Sequence, residues 1–262
     1  MDPIFSFTGY ITIILIVSII GALLPQLIKL SDKQVHLAIA FSAGIFLGVL
    51  FLMLLPEAIN ESIENNYSAM TVMYAVLGGF IAIFIVDFLL KQYYTPECTC
   101  KECLDHHSHD ITSFSAFIGL AIHACFDGLA LATAFIAGQE IGLAVLVAMC
   151  IHKVVVVFSL SSTFLLSNKK KSAIKYLIAF CFISPVAGLF SYLALNGASA
   201  EWAGLAFAVS AGIFMFVTMC DIIPEAFHRK NLNIKSILLT LLGLVVVIAV
   251  VIITNALGGD IC

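Results

Sequence analysis

The chain has 262 residues, of which 62% are hydrophobic and only 11% charged, and its formal net charge is −4. Soluble globular domains usually carry about 25% charged residues. Together with a mean hydropathy of +1.12, this composition excludes a soluble domain and predicts an integral membrane protein. The sequence has no strongly basic tail of the kind that binds nucleic acid.

The apolar segments are long and continuous, whereas strands of a membrane barrel would alternate apolar and polar residues. Backbone groups in lipid must bond internally, and a helix needs roughly 20 apolar residues to cross the bilayer. The sequence therefore predicts an all-α membrane protein with a single transmembrane domain, 1–262. Its eight predicted helices cover residues 4–28, 36–58, 68–92, 113–137, 140–166, 173–195, 202–226 and 236–257.

The basic residues indicate the orientation. Eleven of the twelve fall between predicted helices 1–2, 3–4, 5–6 and 7–8 or within a few residues of the adjoining helix ends, all on one side of the membrane. The other side carries acidic residues and no Lys or Arg. Because cytoplasmic loops are rich in Lys and Arg, the pattern predicts a multi-pass protein with both termini extracellular.

Predicted helices 2 and 7 share a motif. Ser42-Ala-Gly-Ile-Phe46 recurs as Ser210-Ala-Gly-Ile-Phe214, and a Pro-Glu-Ala triplet follows each copy at the same offset. The two helices run in opposite directions in this topology, which is typical of inverted-repeat transporters. We therefore expect helices 1–3 and 6–8 to form an inverted repeat around helices 4–5. Chance similarity between apolar helices is the alternative.

Residues 93–112 are predicted to form a cytoplasmic loop between helices 3 and 4 that is rich in Cys and His. Thiolates and imidazoles bind borderline cations such as zinc. Their spacing matches no fixed zinc module, so a mobile metal-binding loop is predicted, and a flexible linker is the alternative. The candidate ligands are Cys98, Cys100, Cys103, His106, His107 and His109.

Three further candidate ligands lie inside the membrane. His123 and Asp127 are four residues apart and so share one face of predicted helix 4, and His152 lies mid-way along helix 5. Two imidazoles and one carboxylate resemble the ligands of a zinc site. A lone histidine could instead be a hydrogen-bonding helix contact, but two histidines and an aspartate favour a metal site.

Lys153 follows His152 but projects about 100° away around the helix. A protonated lysine is no metal ligand. Lys153 could neutralise Asp127, Asp221 or Glu225, or occupy the place of a second cation.

These residues resemble the ZIP (Zrt-, Irt-like protein) family of metal transporters. Helix 4 of that family carries His-x-x-x-Glu/Asp-Gly, and His123-Ala-Cys-Phe-Asp127-Gly128 is similar. Helix 5 often carries His-Glu-x-Pro-Glu, which completes a binuclear site. This chain has His152-Lys153-Val-Val-Val there, and Ser184 stands where many members have a further glutamate.

The resemblance implies the eukaryotic branch that shares the His-Lys pair. It also implies one transported ion bound by His123, Asp127 and His152, with Lys153 replacing the second ion's charge. Additional candidate ligands or pathway residues are Met53, Glu57, Asp221 and Glu225.

The resemblance further implies zinc uptake into the cytoplasm by an elevator, in which helices 1, 4, 5 and 6 move against helices 2, 3, 7 and 8. Zinc would be the substrate rather than a cofactor, and cadmium a mimic. A homodimer in the plasma membrane is expected.

The alternative function is an intramembrane zinc-dependent lipid hydrolase, similar to ceramidases, in which zinc activates water. His228 would have to supply another ligand, but it falls at the cytoplasmic end of predicted helix 7. We therefore predict a transporter and not an enzyme.

Overall fold

The computed structural model describes residues 3–28, 32–94, 101–166, 170–195, 202–227 and 234–256. These residues are almost entirely helical and contain no strand. The α-helices are α1 (Pro3–Leu27), α2 (Asp32–Val49), α3 (Leu55–Glu64), α4 (Ala69–Tyr94), α5 (Lys101–Ala137), α6 (Gln139–Leu166), α7 (Lys170–Ala194), α8 (Ala203–Phe216), α9 (Ile223–Phe227) and α10 (Ile234–Ala256).

Two spans contain a π-helical segment. Leu50–Leu54 joins α2 to α3, and Val217–Ile222 joins α8 to α9. In each case a proline follows, Pro56 or Pro224. Proline lacks an N–H and its ring collides with the carbonyl four residues earlier, which here belongs to the π segment, so the helix widens there. Within the described residues this leaves eight segments long and apolar enough to cross a membrane, which confirms the all-α membrane fold.

Two helices extend beyond their predicted ends. The second span continues to Glu64 as α3, which buries Ala58 and Ser62, four residues apart, and carries four polar residues elsewhere, at 57, 60, 61 and 64. Helix α5 begins at Lys101 rather than at 113 and has 37 residues, about 55 Å. Because the bilayer core is about 30 Å thick, its polar first turns lie beyond the apolar part, Phe117–Ile136.

Glycines allow close helix packing at two similar interfaces. Helix α2 packs on α10, and α8 packs on α4. A Cβ at Gly44 would collide with the backbone of Thr240, and one at Gly243 with Phe41. At the second interface, a Cβ at Gly212 would strike Val76 and one at Gly79 would strike Val209. Each interface thus depends on two glycines, one on each helix, that each face the backbone of the other helix.

The centre of the bundle is formed by α5 and α6, which pack on each other and on α7. Gly128 of α5 lets α7 approach closely, because a Cβ there would lie 2.6 Å from the Ser184 carbonyl oxygen. An apolar cluster that includes Phe46, Phe180 and Phe214 surrounds this centre. Polar side chains within it are therefore shielded from both water and lipid.

Candidate metal centre

His123 and Asp127 lie one helical turn apart in the middle of the membrane-spanning part of α5. Their exposed fractions are 1% and 4%. The Nε2 atom of His123 is 3.2 Å from Oδ1 of Asp127, yet it forms no hydrogen bond. A buried nitrogen without such a partner is costly, and its lone pair is available to a cation.

His152 brings the third ligand from α6. Its Nε2 atom is 3.7 Å from the same Oδ1 of Asp127, and the three ligand atoms all lie within 4.8 Å of one another. Ligand atoms about 2.0–2.1 Å from a tetrahedral zinc ion are about 3.3 Å apart. The described side chains contain no other group of three such ligands, so this triad is the candidate zinc site in the part of the chain that the structure describes.

Lys153 pairs with Asp127, one of the three carboxylates that the sequence offered as its partner. Its Nζ atom donates to Asp127 Oδ2 at 2.8 Å and to Ser184 Oγ at 2.5 Å, and it lies 5.3 Å from the ring centre of Phe180. Ser184 donates its own proton to the Ala124 carbonyl oxygen at 2.8 Å. Three partners on α5 and α7 thus surround the buried ammonium group.

Two residues of α8 hold the ring of His123, and the sequence did not single them out as site residues. Ser210 Oγ lies 2.8 Å from Nδ1 of His123. The Phe214 ring lies one turn further along α8, with its centre 4.5 Å from that of the imidazole. The repeated motif contains both residues at i and i+4, which was the available signal.

The four remaining candidate residues lie on helical segments other than α5 and α6, which carry the triad. Met53 is half-buried in the first π segment, and Glu57 is exposed in the first turn of α3. Asp221 and Glu225 are buried one turn apart in the second π segment and α9. These positions leave their role in binding or conduction a prediction.

The Cys/His-rich segment is only partly described. Cys98, Cys100 and His228 lie outside the described residues, whereas helix α5 includes four other candidate ligands in its polar first turns. Metal binding by this segment stays a prediction. The four residues are Cys103, His106, His107 and His109.

Comparison with known proteins identifies the family. The model of the family described as "ZIP Zinc transporter" matches residues 7–110 and 97–251. The chain belongs to the ZIP zinc transporter family. The eukaryotic His-Lys branch remains a prediction.

Relatives of this ZIP protein match it over much of its length. Zinc transporter ZIP9-B of Xenopus laevis is 24% identical over 82% of this chain and 84% of its own length. Zinc transporter ZIP1 of Danio rerio is 28% identical over 53% of this chain and 47% of its own length. An uncharacterised protein of Methanocaldococcus jannaschii is 29% identical over 88% and 91%.

ZIP membership decides between the two functional classes considered for the sequence. The matching family is described as one of zinc transporters, and the ZIP9-B and ZIP1 relatives are named zinc transporters rather than enzymes. They give no support to a lipid hydrolase, and the chain is a multi-pass membrane protein of a transport family.

Proposed function

We propose that this ZIP protein transports zinc into the cytoplasm through the triad His123, Asp127 and His152. The observation that carries the proposal is the triad itself: three ligand atoms within 4.8 Å of one another, contributed by two adjacent spans. Buried ionisable groups at mid-span mark ion pathways. Two imidazoles favour zinc over harder cations, and cadmium is a plausible competing ion.

A single bound ion is the second part of the proposal. Lys153 supplies a positive charge 2.8 Å from Asp127 Oδ2, so a second dication beside that oxygen would be repelled. The same charge weakens binding of the first ion, which suits a site that must also release its substrate. Equilibrium dialysis with zinc should give one ion bound at the triad per chain, and a second that also depends on Asp127 would contradict the proposal.

The inward direction follows from charge. Basic residues lie on the predicted cytoplasmic side. A negative-inside potential draws a dication inward with about 4.6 kcal/mol per 100 mV, so zinc uptake needs no other energy source. An N-terminal epitope tag should bind antibody on intact cells, because both termini are proposed to be extracellular; labelling only after permeabilisation would reverse the orientation.

Alternating access by an inverted repeat and an elevator movement is also proposed. The supporting observations are the two π segments, each placed between a copy of the motif and a Pro-Glu-Ala triplet, and the two pairs of reciprocal glycine contacts. A homodimer in the plasma membrane is the expected setting. One cysteine can be introduced on each of two facing spans, one from the moving group (predicted helices 1, 4, 5 and 6) and one from the fixed group (predicted helices 2, 3, 7 and 8). The extent of cross-linking between them should change when zinc is added, and unchanged cross-linking would contradict the movement.

The experiment that tests the function is zinc-65 uptake by cells that express the protein at measured surface levels. The wild type should show saturable uptake, and His123→Ala should abolish it by removing a ligand. Cys125→Ala is the matched control, because Cys125 lies on the same helix between the two ligands but is exposed. Wild type without uptake would refute zinc uptake, and uptake by His123→Ala would refute the site.

A further inference from the structure

The imidazole of His123 is held on two sides by α8. The hydroxyl of Ser210 meets Nδ1 at 2.8 Å, and the ring of Phe214 covers the imidazole with a centre-to-centre distance of 4.5 Å. His123 and Ser210 are only 1% and 3% exposed, so water does not compete for this hydrogen bond. The ring therefore has a defined orientation before any ion arrives.

This hydrogen bond determines which nitrogen can bind a metal. A neutral imidazole carries its proton on one nitrogen and a lone pair on the other. Nε2 of His123 faces Asp127 and His152, so the proton must be on Nδ1 for Nε2 to be a ligand. Ser210 Oγ is the acceptor for that proton, and such an acceptor fixes both tautomer and ring orientation.

We propose that Ser210 is a positioning residue for zinc transport: its hydroxyl accepts the Nδ1 proton of His123 and so presents the Nε2 lone pair to the ion. The inference rests on the proposed transport of zinc through the triad. Ser210 does not touch the ion itself; it acts through His123, from a different span.

The position of Ser210 is itself fixed by its motif. Gly212, two residues on, faces α4 so closely that a Cβ would collide with Val76. Helix α8 therefore packs closely on α4 at Gly212, and it contacts His123 through Ser210 and Phe214. A change of hydroxyl at Ser210 should leave this backbone in place and alter only the hydrogen bond.

The repeated motif supplies a matched control. Ser42 occupies the position in α2 that Ser210 occupies in α8, and it is 0% exposed. Its hydroxyl has no hydrogen-bond partner in the described structure. Replacing Ser42 by alanine removes the same group from the same motif and breaks no hydrogen bond to a ligand.

The test compares the KM and Vmax of zinc-65 uptake for wild type, Ser210→Ala, Ser210→Thr and Ser42→Ala at matched surface levels. Loss of such a hydrogen bond lowers metal affinity by about 10- to 100-fold. We expect Ser210→Ala to raise KM about 10-fold or more with a smaller change in Vmax. Ser210→Thr keeps the hydroxyl and should restore KM, and Ser42→Ala should match the wild type.

A KM for Ser210→Ala within about twofold of wild type would overturn the inference while leaving zinc transport intact. Equal increases in Ser210→Ala and Ser42→Ala would overturn it too, because they would indicate a packing effect of the motif. If Ser210→Thr does not reach the surface, the comparison of the two alanine variants still decides. Absence of uptake by wild type would refute the proposed function and the inference together.

Discussion

At the scale of single residues, Asp127 uses its two carboxylate oxygens differently. Oδ1 faces His123 and His152, at 3.2 and 3.7 Å, whereas Oδ2 pairs with Lys153 at 2.8 Å. The first oxygen is thus available to an ion while the second is neutralised by the protein. Without an ion, the carboxylate and the ammonium group balance each other in a medium where an isolated charge is very costly.

Removing Lys153 should make the protein more dependent on zinc. Lys153→Met leaves the buried carboxylate without its counter-ion, and breaking such a pair costs about 3–5 kcal/mol. We expect a lower Tm in detergent without zinc and a larger zinc-induced rise in Tm than in wild type, since the ion would replace the lost charge. Thermal unfolding with and without zinc measures both quantities.

The control for this prediction is Lys175→Met, which makes the same chemical change at an exposed position on α7. It should leave both the Tm and its response to zinc unchanged. An equal zinc-induced shift in Lys153→Met and wild type would show that Lys153 does not compensate the charge of Asp127.

The sequence was sufficient to predict the triad, because four-residue spacing on one helix and mid-span position are readable from the chain. It left three partners open for Lys153, since rotation about a helix gives a direction but not the neighbouring helix. The sequence marks Ser210 only as part of the repeated motif. Its contact with His123, 87 positions away, depends on how α8 packs against α5, which no local pattern specifies.

At the scale of helices, hydropathy located every span but not every end. A long apolar segment in lipid forms a helix, because the helix bonds all of its own backbone groups, so the existence of the helices was predictable. The outer ends of α3 and α5 were not, because both helices continue into segments that carry several polar residues. Neither hydropathy nor charge separates a polar helix from a loop.

Adjacent glycines in α4 offer a test of close packing. A Cβ at Gly79 would collide with the carbonyl oxygen of Val209, whereas one at Gly78 meets nothing within 4 Å. Gly79→Ala should therefore lower stability by about 1–3 kcal/mol, as overpacking does, and Gly78→Ala should not. Unfolding of the two purified variants measures the difference.

The neighbouring position makes this comparison independent of helix propensity, which changes equally in both variants. Similar stability for Gly79→Ala and Gly78→Ala would mean that α4 and α8 do not approach each other as closely as described.

At the scale of the whole molecule, helix packing brings distant parts of the chain to one site. Ligands come from α5 and α6, the counter-charge is fixed by α7, and the ring of His123 is held by α8. Zinc would then pass through a site that is buried among the membrane-spanning helices. The two spans that contain the repeated motif each include a π segment. The inverted repeat remains a prediction, since sequence similarity alone does not establish a symmetry.

The most direct test of the account is zinc entry into liposomes that contain the purified protein, an internal zinc indicator and a negative-inside potential. We predict saturable entry by wild type, faster as the potential increases, and no entry above protein-free liposomes by His123→Ala. Folded, inserted wild type that admits no zinc would contradict transport. Equal entry by wild type and His123→Ala would contradict the triad as the route.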